Sequence, residues 1–170
     1  MSKISKIRAR QVFDSRGNPT IEAEVHSKKL SASAICPSGA STGTYEAFEK
    51  RDTKNKRYLG KSVFSAINLI NTKISKKLSG TNIHDQVRID TTLINLDGTR
   101  QKTNLGANAI LAVSMAAKKL SAKIKNVPLY KTFLVKNKYS LPYPLMNIIN
   151  GGAHANNGLR IQEFMIRPDK

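Results

Sequence analysis

Two short stretches of this sequence hold residue types suited to chemistry. The first is Pro37-Ser38-Gly39-Ala40-Ser41-Thr42-Gly43, seven consecutive small or Pro residues with three hydroxyls and two glycines. Small side chains let a backbone approach a ligand, glycine permits positive φ, and hydroxyls or exposed amides can meet phosphate oxygens or a hard cation. A phosphate- or metal-facing loop and a flexible Gly/Ser connection both fit the stretch. It is not a P-loop, because no Gly-Lys-Ser/Thr follows at the required place, and it is not G-x-G-x-x-G.

The second stretch runs from Asn150 to Asn157 and contains Gly151-Gly152 and His154, with Gln162-Glu163 a few residues on. A loop histidine can serve in acid/base work or hydrogen-bond an oxyanion. An amide beside a carboxylate can hold a substrate oxygen while the carboxylate accepts a proton or orders a water. An ordinary exposed histidine and a solvated polar pair are the plain alternatives. His26 and His84 have no comparable company and receive no role. No acidic cluster follows, so the chain by itself shows no evident set of carboxylate ligands for a divalent metal.

The elements that must position these residues are legible from periodicity. Ile7, Ala9 and Gln11 alternate with Arg8, Arg10 and Val12, and Ile21, Ala23 and Val25 alternate with Thr20, Glu22 and Glu24. Such period-two patterns predict half-buried strands, and Asp14 to Pro19 between them predicts a hairpin turn. In that hairpin Arg8 and Arg10 face Glu22 and Glu24. Ser31 to Cys36 is a third strand, completing an antiparallel meander. Tyr45 to Glu49 reads as helix-like. Beyond it the period becomes helical: Val63, Ile67, Ile70, Ile74 and Leu78 form one stripe, with Gly80 as its stop. Val87 to Leu96 forms a second helix beginning near Asp85 and ending at Asp97-Gly98. Ala107 to Lys125 forms the third, with Ile110, Val113, Ala117, Leu120 and Ile124 on one face. Pro142 to Asn150 and Gln162 to Ile166 then read as two further buried strands.

Composition narrows the class. At 170 residues the chain can bury one good core or one domain and the start of another. Hydrophobic residues at 39% exclude general disorder, and no apolar run reaches the roughly 18 residues of a membrane span. No signal-peptide core is present near Met1, so a cytoplasmic location is expected. Cys36 is the single cysteine, which excludes a disulfide framework and reads as a buried structural thiol. The net charge of +18 makes RNA or an anionic surface an expected partner class for a stand-alone basic binding module. Against that reading, the basic residues are scattered, and no zinc spacing or aromatic RNA-binding motif accompanies them.

Taken together, five ordered blocks carry a resemblance: Asp14 to Thr20, Pro37 to Gly43 with Tyr45-Glu46-Ala47, Leu96 to Thr99, Leu105 to Leu111, and Met146 to His154 with Gln162 to Ile166. The chain resembles the enolases over nearly its whole length. The resemblance implies a magnesium-dependent lyase of glycolysis, dehydrating 2-phosphoglycerate to phosphoenolpyruvate. It implies an α+β N-terminal domain over residues 1–137, a three-stranded antiparallel meander plus helices, and over 138–170 the first strands of an incomplete α/β (TIM-type) barrel. In the family the loop matching Gly39 to Gly43 closes over the site, and Ser41 would ligate magnesium. His154 would contact the phosphoryl side of the substrate, Gln162 would bind substrate, and Glu163 would stand near the leaving hydroxyl. A homodimer is implied, with Arg16 near its interface. The family's lysine base, its principal acid and three metal carboxylates would come after Lys170, and a closed barrel needs about 250 residues. Residues 1–170 alone are therefore expected to be inactive. The charge departs from the family's usual near-neutral or acidic balance, as does Arg100-Gln101-Lys102 after Leu96 to Thr99.

Overall fold

The alternation that begins near Lys6 builds a sheet before any helix forms. The computed structural model describes residues 2–39, 42–54, 56–133 and 140–168. Strands β1 (Lys6–Phe13), β2 (Pro19–Ser27) and β3 (Leu30–Cys36) form an antiparallel sheet in that order. The turn between β1 and β2 is held by the Asp14 carboxylate, whose Oδ1 accepts the Arg16 and Asn18 amides at 2.9 Å each. Gly17 takes φ +74° there, a left-handed conformation that suits glycine. The predicted register holds: Arg8 lies opposite Glu24 and Arg10 opposite Glu22. Only the second pair is an observed ion pair, Arg10 Nε to Glu22 Oε2 at 2.5 Å. Glu24 instead accepts from Ser31 Oγ at 2.9 Å and lies 3.1 Å from His26 Nε2.

One face of the sheet, including Ile7, Ile21, Ala23, Val25 and Ala34, is buried with the helices. The stripe from Val63 to Leu78 forms as expected, with one difference. Helix α1 (Phe64–Leu69) passes through a π turn at Ile70–Ile74 into α2 (Ser75–Leu78). Within that π turn, Asn71 meets the open edge of β1: Oδ1 accepts the Ala9 amide at 2.7 Å, and Nδ2 donates to the Ala9 carbonyl at 3.2 Å. A side-chain amide thus completes a strand edge that would otherwise offer free pairing groups. Helix α3 (Gln86–Asp97) is capped by Asp85, which accepts the Arg88 amide, and ends on left-handed Gly98. Helix α4 (Ala107–Ile124) buries Ile110, Val113, Ala117 and Leu120 as its spacing predicts.

Residues Tyr45 to Glu49 are not helical, which corrects the sequence reading. The segment is irregular, with Tyr45 in a turn, and its backbone bonds elsewhere. Phe48 donates to the Gln101 carbonyl at 2.7 Å, and its own carbonyl accepts the Ala107 amide at 2.8 Å. Asn108, buried at the start of α4, accepts the Lys50 amide at 3.1 Å and donates to the Lys50 carbonyl at 3.0 Å. Those bonds claim groups that a helix would have used. Gly106 lets the two segments close, since a Cβ there would sit 2.5 Å from Lys50 Cβ and from Asn108 Oδ1.

The chain divides into two compact units, Met1–Ser38 with Tyr45–Phe133, and Gly39–Thr44 with Leu134–Lys170. In the second, β4 (Met146–Asn150) and β5 (Glu163–Ile166) pair antiparallel. Both strands are shorter than the sequence suggests, and they are exposed where burial was expected, Ile148, Phe164 and Met165 among them. The connection here holds turns and one short 3-10 segment, without the helical crossover that parallel neighbours need. Exposed apolar strands of this kind recruit partners. Residues 1–170 are therefore expected to enhance the fluorescence of a hydrophobic dye, and Ile148→Lys to reduce it. A dye signal no higher than that of a folded globular control would contradict this.

Candidate active site

The hairpin between β4 and β5 gathers three of the sequence-predicted residues. Its loop is closed by backbone bonds from Gly151 to the Gln162 carbonyl at 2.9 Å and from Gly152 to the Leu159 carbonyl at 2.7 Å. Gly151 must be glycine for this closure, because a Cβ would lie 2.4 Å from the Ile161 carbonyl oxygen. Gly152, Ala153 and His154 then make a short 3-10 turn that returns the imidazole toward the start of β5. His154 Nδ1 lies 2.8 Å from Glu163 Oε1, and His154 Nε2 lies 3.1 Å from Gln162 Nε2.

This geometry selects a tautomer. A carboxylate oxygen accepts only, so Nδ1 carries the proton and donates to Glu163. In the neutral ring Nε2 is then the acceptor, and it receives an N–H from Gln162. The amide orients the imidazole, and the imidazole orients the carboxylate. Protonating the ring would turn Nε2 into a donor facing a donor, so the Gln162 amide would have to rotate. The side chains of His154 and Glu163 are only 24% and 29% exposed, so the pair is held yet reachable. Such a group can pass a proton or hydrogen-bond an anionic oxygen.

Ser41, the expected magnesium ligand, lies outside the described residues. Among the described residues no three His, Cys, Asp or Glu side chains gather as a metal cluster. Magnesium favours near-octahedral oxygen ligation, usually with carboxylates, and the described residues hold no complete ligand set of that kind. Arg16 is exposed in its turn, with its backbone amide engaged by Asp14. Cys36 is buried, and burial, followed by the nearby Glu49 charge, pushes its thiol up, as expected of a structural cysteine. His84 is a packing histidine, its Nδ1 lying 2.9 Å from Ser121 Oγ. Among the described residues no helix is long and apolar enough to cross a membrane.

A further polar cluster escaped the sequence reading. Glu49 and Arg51 pair at 2.8 Å, and both bond Ser38, the last residue of the first unit before the Gly/Ser loop. On a helix, residues two apart do not face each other. In this irregular segment Glu49 and Arg51 do meet. Reading Tyr45 to Glu49 as helix-like hid the pair, and the Glu-x-Arg spacing after the loop was the signal available.

The fold and the cluster define a class: an α+β domain of meander and helices, with a hairpin unit that carries a hydrogen-bonded Gln–His–Glu cluster. The comparisons make it particular. Residues 4–133 match the family described as "Enolase, N-terminal domain", and residues 138–170 match "Enolase, C-terminal TIM barrel domain". The chain is 91% identical over 170 residues to the enolase of Pelagibacter ubique (strain HTCC1062), covering all of this chain and 41% of that protein. It is 54% identical over 166 residues to the enolases of Methanosarcina mazei and Methanosarcina acetivorans, covering 98% of this chain and 39% of each. The chain belongs to the enolase family. It spans about two fifths of the length of the curated relatives it matches. Membership does not favour the stand-alone basic binding module.

Proposed function

We propose that this chain supplies the N-terminal part of a phosphopyruvate hydratase, with residues 1–137 as the α+β domain and residues 138–170 as the opening of the barrel. The observation that carries the reading is the Gln162–His154–Glu163 cluster in the β4–β5 hairpin. In the dehydration of 2-phosphoglycerate a base removes the C2 proton, and the freed electron pair becomes the C2–C3 double bond of phosphoenolpyruvate. The C3 hydroxyl takes a proton and leaves as water.

Glu163 suits the leaving-hydroxyl side, where its carboxyl group exchanges protons with water or substrate. His154 suits the phosphoryl side, and Gln162 holds a substrate oxygen through its amide. Magnesium is the expected cofactor, with Ser41 as its one ligand from this chain. When bound, it would stabilise negative charge that develops on the substrate carboxylate. The same reading carries homodimerisation and a cytoplasmic location.

The test is a graft. Residues 1–170 replace the corresponding segment of the Pelagibacter ubique enolase, to which they are 91% identical. The graft is expected to turn over 2-phosphoglycerate within about tenfold of that enzyme, and residues 1–170 alone to show no turnover. An inactive but folded graft would refute the reading, and turnover by residues 1–170 alone would refute the division of the site.

A further inference from the structure

The sequence has two Asn-Gly steps, Asn150-Gly151 and Asn157-Gly158, and both lie in the β4–β5 hairpin. Asparagine before glycine is well placed for intramolecular deamidation, because no Cβ on the following residue hinders its backbone nitrogen from reaching the side-chain amide. The two steps are held differently. Gly151 is buried, and its amide donates to the Gln162 carbonyl at 2.9 Å, while the Asn150 side-chain oxygen accepts Asn147 Nδ2 at 2.5 Å. The nucleophile there is engaged, and the side chain is bonded back to residue 147. Gly158 is exposed at φ +76°, and nothing lies within 4 Å of where a Cβ would stand. No acceptor among the described residues takes its amide. Asn157 Oδ1 accepts the Leu159 amide at 3.2 Å, which folds the side chain back along the Gly158 peptide and polarises its carbonyl.

We infer that Asn157 is a modification site that deamidates spontaneously through the Gly158 nitrogen, loosening the loop that carries His154. The Gly158 nitrogen gives its proton to water and bonds to Asn157 Cγ. The Cγ–Nδ2 bond breaks, ammonia leaves, and a cyclic imide remains. Water then adds to one imide carbonyl and opens the ring. Opening at Cγ gives aspartate, and opening at the backbone carbonyl gives isoaspartate, with the main chain rerouted through Cβ. Asn157 Nδ2 donates to the Asn150 carbonyl at 2.8 Å, joining the loop to the end of β4 at the foot of the Gly152–His154 turn. Conversion removes that donor and sets a carboxylate oxygen against a carbonyl oxygen, acceptor against acceptor. The modification stands on the hairpin's own geometry, and its effect on turnover rests on the functional reading above.

The graft, incubated in warm, mildly alkaline buffer, is digested at intervals, and fragmentation mass spectrometry follows the amide-to-acid conversion at each step beside a sample kept in urea. In the folded protein Asn157 is expected to convert about tenfold faster than Asn150, since the Gly151 amide must first leave a buried hydrogen bond. In urea the two rates are expected to come within about threefold of each other, because the bonds that separate them are gone. Equal rates in the folded protein, or an Asn157 that stays intact while the urea sample converts, overturns the modification site. In the same folded samples kcat/KM is expected to fall about tenfold as conversion at Asn157 completes. Asn157→Gln, whose longer side chain closes such a ring slowly, is expected to keep its own starting value over the same period. Full conversion with kcat/KM within about twofold of its starting value, well short of a misplacement loss, overturns the link to the His154 loop. An unsubstituted graft without turnover counts against the functional reading, and the mass measurement still decides the site.

Discussion

Glu163→Gln in the full-length graft is expected to lower kcat by about 10²–10⁴-fold, the range for removing a proton-transferring side chain. The thermal midpoint should stay within a few degrees. Glutamine has nearly the shape of glutamate, and its Oε1 still accepts the proton of His154 Nδ1. The imidazole therefore keeps its tautomer and its bond to Gln162. What disappears is the ability to take up and release a proton. His154→Ala should cost a similar factor by a different route, since it removes the group that aims the carboxylate. The double variant should fall little below either single one, because residues that act as a unit are not additive. The check is steady-state kinetics of all three variants beside their unfolding curves. A loss below threefold for Glu163→Gln, or multiplicative losses in the double variant, would show that the cluster is not the proton-handling unit.

The legibility of this cluster was uneven for physical reasons. Gly151-Gly152 and His154 stood out because the types are uncommon together, and Gln162-Glu163 because a polar pair opens an apolar run. Their meeting was not legible, since it depends on a loop closed by backbone bonds over ten residues. The meander was legible to the register, because period-two burial makes a one-residue slip expensive on every side chain. The helices were legible from their stripes and caps, Asp85 and Gly98 in particular.

What the sequence hid falls into one pattern. Asn71 and Asn108 each present a side-chain amide to a strand-like backbone, at Ala9 and at Lys50. Both partners are 58 or more positions away in the chain, so no local period reports them. The second bond pulled Tyr45 to Glu49 out of the helix that its composition suggested, and with it went the spacing that would have shown Glu49 and Arg51 facing together. In β4 and β5 the apolar pattern was read as burial, yet pattern alone does not say what covers a face.

Asp97→Asn is expected to destabilise the first unit by about 3 kcal/mol, from buried donors left without acceptors at about 1–3 kcal/mol each. Asp97 is 2% exposed at the end of α3. Its Oδ1 accepts the Thr99 amide at 3.0 Å and the Thr99 hydroxyl at 2.5 Å, and its Oδ2 accepts the Leu105 amide at 2.7 Å. One carboxylate therefore shapes the turn that leads from α3 to the start of α4. An asparagine keeps the volume, but its NH2 must face either Thr99 or Leu105, placing donor against donor. The cost appears as a drop in thermal midpoint of about 10 °C for a unit of this size.

The effect has a pH signature. Burial alone would raise the Asp97 carboxyl, but the Leu105 amide, the Thr99 hydroxyl and amide, and the Lys102 ammonium together hold it below its ordinary value. The folded value therefore lies below the unfolded one, so the unfolded state binds the proton first as pH falls. The stabilisation is complete above the unfolded value of about 4 and drains away as pH drops through the folded value. Denaturant unfolding of both proteins from pH 7 down through pH 3 should show a constant gap above about pH 5 that narrows below it. A variant within about 0.5 kcal/mol of the parent, the usual scale of a neutral surface change, or a gap that widens on acidification, would mean that this carboxylate does not hold the turn.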